Sequence, residues 1–235
     1  MAFLSLSAGF GGVAAAFVLF LVTHSLPAMP SLRRRLVSRM GEAFYLAAYS
    51  AVSLATLCWL VAATLDAPYI ALWDPPVWAR PVALGVMPVA CVLFVAGASS
   101  PNPLSVAPTA RGFDPARPGI VAVTRHPVLW GCLLWSAVHV LANGDLRAVL
   151  LFGTLGLFSA GAMPLYDRRR ARALGRAEWG RLAAGTSVVP LWALLSGAAR
   201  WPAGWAVRVR VLAGLLLYAV ILTAHGDLFG VSPLG

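Results

Sequence analysis

Four histidines, His24, His126, His139 and His225, are the side chains of this sequence with the most chemistry to offer. A neutral imidazole is the commonest metal ligand among protein side chains and changes charge near neutral pH. Each of the four falls in or at the end of an apolar stretch, where an ionisable group is expensive and by default marks a functional site. No other titratable side chain inside those stretches competes with them for that role. A single histidine there is most simply a hydrogen-bonded staple between helices. Four in one chain point to at least one metal or haem-iron site.

Two of them lie in residues 125–144, RHPVLWGCLLWSAVHVLANG. His126 and His139 are 13 residues apart, which in a helix is about 20 Å of rise and about 220° of rotation. They therefore point to different faces and do not share one ion. Cys132, Trp135, Ser136 and His139 recur at helical spacing and share a face. With Gly131 opening space below Trp135, that face either borders a flat aromatic cofactor or forms a seam between helices. Arg125-His126-Pro127 offers a cation and an imidazole at a helix start, where free backbone N–H groups attract anions or carboxylates. Glu178, a lone acid between Arg168 and Arg181, reads as a neutralising charge.

The elements that position these groups follow from composition. The 235 residues are 60% hydrophobic and only 11% charged, with a mean hydropathy of +0.81. A soluble domain carries about 25% charged residues, so this chain has too little polar surface to coat a globule in water. It reads as an all-α, polytopic integral membrane protein forming a single transmembrane domain over 1–235. Six spans are expected at residues 2–24, 43–65, 81–98, 125–144, 146–165 and 205–225, each near the length that a bilayer core demands. Residues 188–199 are apolar but too short to cross, and read as an interfacial or re-entrant helix. The first span lacks the basic start and cleavage site of a signal peptide and reads as retained. Prolines at 101, 103, 108, 115 and 118 exclude a span between the third and fourth, and Pro127 suits a first helical turn. Cys58, Cys91 and Cys132 show no CxxC spacing and read as small apolar side chains.

All 18 basic residues are arginine, giving a net charge of +10. They cluster beside apolar spans, with no aromatic-interleaved basic domain, so nucleic acid is not the expected partner. Arg33, Arg34, Arg35, Arg39, Arg111, Arg117, Arg125 and all nine from Arg168 to Arg210 fall on one side; only Arg80 and Arg147 fall on the other. Cytoplasmic loops carry the excess of positive charge, which places both termini outside the cytoplasm. On this topology His24 and His126 lie toward the cytoplasmic face, and His139 shares the outer half with His225.

The run from Arg125 to Gly131, followed by Leu134-Trp135, Ala137, His139 and Leu141 to Asp145, resembles the core motif of the NnrU family. His24-Ser25-Leu26, Ser100-Pro101-Asn102-Pro103 and the closing run from His225 to Val231 are similar to the family's other motifs. The resemblance covers nearly the whole chain. It implies a multi-pass protein of the bacterial inner membrane, linked either to nitrite and nitric oxide reduction (denitrification) or to isomerisation. The isomerase reading comes from ζ-carotene isomerase, a haem b enzyme of the same family acting on a lipophilic polyene. By motif position, its axial ligands correspond to His24 and His139, the latter on the face that carries Trp135 and Ser136; Arg125 and His126 belong to a separate site at the cytoplasmic interface. Ser136 stands where the isomerase has a cysteine, so no thiolate is expected there. The depth reading favours His225 as the alternate partner of His139. The Arg125-His126-Pro127 turn, with Glu178, Trp179 and Pro190, also resembles the isoprenylcysteine carboxyl methyltransferases, which implies S-adenosylmethionine as an alternative cofactor. A third reading is a non-enzymatic assembly partner in which the histidines only staple helices.

Overall fold

A computed structural model describes residues 2–26, 29–107 and 109–234, the side chains of residues 2–8 and 30 excepted. Pro27 and Pro108, both expected in connecting segments, lie outside the described residues. The helices are α1 Ala2–Ser25, α2 Pro30–Met40, α3 Glu42–Asp66, α4 Ala79–Ser99, α5 Pro127–Asn143, α6 Leu146–Ala148, α7 Thr154–Leu174, α8 Arg176–Ala183, α9 Trp192–Leu195 and α10 Trp205–Phe229. Among the described residues there is no strand, only an isolated antiparallel bridge between Ala71 and Asp145. The all-helical reading holds.

Among the described residues, four helical runs are long and apolar enough to cross a membrane: α3, α4, the continuous run Leu146–Leu174 and α10. Gly9–Ser25 of α1 and the 17-residue α5 are apolar but shorter. The expected fifth span does not stop at residue 165. It continues through Pro164 to Leu174, carrying Asp167 and the following arginines into the same helix. Residues 188–199 shrink to the single turn of α9, bounded by Leu191 with a φ of 66° and Gly197 with a φ of 75°. Left-handed backbone at both positions interrupts helix growth. The arginine cluster at 33–39 is itself helical as α2, with Pro30 at its start.

The chain divides into two compact units, residues 1–73 with 144–151 and residues 74–143 with 152–235. In the first, α1 packs antiparallel to α3. A Cβ on Gly9 would meet Pro68 just past the end of α3, while Thr23 Oγ1 lies 3.4 Å from Thr56 Oγ1. Asp145 caps α6 by accepting from the amides of Arg147 and Ala148, the ordinary way to satisfy orphan donors at a helix start.

In the second unit α5 is the hub. Its seam with α4 depends on two glycines: a Cβ on Gly97 would come within 2.8 Å of Val128 N, and one on Gly131 within 2.8 Å of Ala90 O. Gly131 thus serves helix packing rather than opening space for a cofactor. On another side α5 runs antiparallel to α7, with Gly156 against Ser136 and Phe152 against Trp135 and His139. Helix α10 lies along α4, where Gly214 backs onto Val92 and Tyr218 donates to Leu84 O at 3.1 Å.

Candidate functional site

The helix pairing within the second unit produces two polar centres, one at each end of α5. At its start, Arg125 and His126 converge on Asp167 of α7. Arg125 Nη1 lies 2.6 Å from Asp167 Oδ2, and His126 Nε2 lies 3.0 Å from Oδ1. The other imidazole nitrogen, Nδ1, is 2.7 Å from Ser105 Oγ. An ionised carboxylate only accepts, so Nε2 carries the proton toward Asp167, and in the neutral ring Nδ1 accepts from the Ser105 hydroxyl. His126 is fully buried and Ser105 is 2% exposed.

The guanidinium is spent in several directions. Arg125 Nε donates to Thr186 Oγ1 at 2.9 Å and Nη2 to Thr186 O at 3.3 Å. Its carbon stands 5.2 Å above the Trp179 ring. Asn102 fixes the turn by donating to Arg125 O at 2.9 Å. The carboxylate at this helix start is therefore the chain's own Asp167. Glu178, on the next helix α8, forms a fork with Arg181 at 2.9 and 2.7 Å. That guanidinium holds the Glu178 carboxyl below its ordinary range.

Asp167 is the residue the sequence hides. It stands next to Arg168, Arg169 and Arg170 and so looks like part of a solvated charge run. The available signal was its place as the last residue of an apolar stretch before those arginines. Ser105 and Thr186 give no signal at all, because nothing local distinguishes them from loop residues.

At the far end of α5 lies the aromatic centre. His139 and His225 have ring centroids 6.4 Å apart with planes 28° from parallel. His139 Nδ1 donates to Trp135 O at 2.8 Å, and His225 Nδ1 donates to Val231 O at 2.7 Å. A carbonyl oxygen cannot donate, so each Nδ1 bears hydrogen and each neutral ring keeps its lone pair on Nε2. The second contact exists because Gly230, with a φ of 72°, lets the chain turn back at the end of α10.

Around these rings, Phe152 sits 4.6 Å from His139 and 5.0 Å from Trp135, and Phe229 sits 4.8 Å from His225. Phe152 belongs to a π-helical turn, Val149–Gly153, a distortion that often occurs at functional sites. Ser136 is 1% exposed, and its Oγ has no hydrogen-bond partner among the described residues. Leaving a buried hydroxyl unpaired costs about 1–3 kcal/mol. His139 and His225 are thus brought together, with Trp135 and Ser136 within one turn of His139.

The remaining predicted ligand, His24, belongs to the first unit. Its Nδ1 is 3.3 Å from Ser53 Oγ, its carbonyl accepts from Tyr49 OH at 2.8 Å, and its ring stacks on Phe20 at 5.2 Å. Among the described residues no group of three or more His, Cys, Asp or Glu is placed to hold a metal ion.

The family described as "NnrU protein" matches residues 13–233. The chain belongs to the NnrU family. Every histidine and every motif residue named above lies inside that match. No curated protein and no solved structure matches this NnrU chain.

Proposed function

We propose that this NnrU-family protein is a six-span protein of the bacterial inner membrane, with both termini on the non-cytoplasmic side, that binds haem b in its second unit. Among the described residues four helices meet the length of a crossing on their own, and sixteen arginines against two support the orientation. Gly9–Ser25 and α5 complete the six.

The observation that carries the haem reading is the pair His139 and His225. Both rings surrender Nδ1 to a main-chain carbonyl and keep Nε2 for a metal. Anchoring the second imidazole nitrogen in this way is how proteins orient metal-binding histidines. A bare zinc ion takes three or four protein ligands. Haem iron brings four nitrogens of its own and would need at most two more from the protein, so the two imidazoles of His139 and His225 would suit it. Trp135, Phe152 and Phe229 supply an apolar surround, and the unpaired Ser136 hydroxyl is a donor within one turn of His139.

Haem, when bound, supplies reversible one-electron chemistry whose potential its ligands and burial set. The chain's own contribution is to orient two imidazoles, exclude water with aromatic rings and leave a hydroxyl for polar contact. We assign the activity to redox-gated cis-trans isomerisation of a lipophilic, carotenoid-like polyene, on the strength of the family resemblance. Support of nitrogen-oxide respiration is the second reading, on the same ground. The test is the absorption spectrum of the full chain purified from haem-replete cells. A Soret band that His139→Ala removes supports the proposal; a colourless, iron-free protein overturns it.

A further inference from the structure

Helix α2 belongs to neither polar centre, and its two faces differ sharply. Leu32, Leu36 and Met40 recur at intervals of four and so form one stripe along the helix, with Met29 just before its start. Met29, Leu32 and Met40 remain 47%, 37% and 39% exposed. Arg34, Arg35 and Arg39 are exposed as well, and among the described residues none of them has an acidic partner. Arg33 differs: it pairs with Glu42 at 2.8 Å and lies 5.5 Å over the Tyr45 ring, which ties α2 to the start of α3.

An apolar stripe in water is costly, and three unpaired arginines beside it need counter-charge. Both needs are met at one place, the boundary between acyl chains and headgroups. A short helix with an apolar stripe and an arginine-rich face lies in that plane. The neighbours of α2 fix its depth: the apolar α1 precedes it, and α3, long enough to cross a membrane, begins one residue after it. That single residue, Gly41, has a φ of 82° and ends the helix, so α2 does not simply prolong α3.

We infer that α2 is an interfacial helix whose Arg34, Arg35 and Arg39 bind the phosphate headgroups of anionic phospholipids while Met29, Leu32 and Met40 enter the acyl layer. The occupant of this face is the anionic leaflet itself. The inference does not depend on haem binding.

Native mass spectrometry of the full chain, offered equal amounts of phosphatidylglycerol and phosphatidylcholine, tests it. The protein is expected to retain phosphatidylglycerol preferentially. The triple variant Arg34→Gln, Arg35→Gln, Arg39→Gln is expected to lose that preference, on the order of fivefold per arginine. The variant's helix content by circular dichroism controls for folding, since glutamine is nearly as good a helix former as arginine. An unchanged preference in the triple variant, or none in the parent, overturns the inference. So does a dimer in the same spectra that Leu32→Asn disperses, because the stripe would then belong to a second copy.

Discussion

His139 and His225 lie on different helices, yet their imidazole centroids are 6.4 Å apart and both donate Nδ1–H to a main-chain carbonyl. The two tethers arise differently. His139 uses the carbonyl of its own preceding turn, Trp135, which any helical histidine can reach. His225 reaches forward to Val231, which requires the left-handed Gly230 at the end of α10.

The Val231 tether is the more fragile. Any L side chain at residue 230 is strained in the left-handed conformation by about 1–2 kcal/mol. Gly230→Val is expected to release Val231 O and free the His225 ring to rotate or change tautomer. In haem-loaded protein this shifts the redox midpoint and the visible bands, while α10 keeps its helicity by circular dichroism. Bands and midpoint identical to the parent would show that the tether does not set the ligand.

Asp167 balances two partners at once. Asp167→Asn keeps the shape and removes the charge, leaving Arg125 without its counter-ion in a largely enclosed setting. Breaking such a pair from one side costs about 3 kcal/mol or more. A clear fall in the melting temperature of the detergent-solubilised protein is expected, with Asp167→Ala no better. A melting temperature within error of the parent would contradict the assigned role.

The α4–α5 seam gives a prediction with its own control. A methyl group on Gly131 meets Ala90 O at 2.8 Å and Phe94 N at 3.0 Å, backbone atoms that cannot step aside. Gly131→Ala is therefore expected to destabilise by about 1–3 kcal/mol through overpacking. Gly180 in α8 has nothing within 4 Å of the same position, so Gly180→Ala should stabilise slightly through helix propensity. Thermal melts of the two variants should move in opposite directions.

Much of this arrangement was legible in the chain itself. The apolar runs marked every long helix, and counting residues along oriented spans grouped His139 with His225. Helical spacing also put Trp135, Ser136 and His139 together. What escaped was set by distance in sequence. Asp167 meets Arg125 and His126 across some forty residues, only because α7 runs antiparallel to α5 and extends past residue 165. Gly131 looked like open space because a missing side chain reads the same whether a cofactor or a backbone fills the gap. The helicity of α2 was masked by its arginines, which announced a cytoplasmic loop while its apolar stripe went unread.

The central claim is that His139 and His225 form a two-imidazole haem site, and electron paramagnetic resonance of the oxidised, haem-loaded protein tests it most directly. The parent protein is expected to give a low-spin ferric signal. His225→Ala should convert that signal to high spin, and the double variant His139→Ala, His225→Ala should lose the haem. A low-spin signal that survives His225→Ala and disappears in His24→Ala would contradict the account.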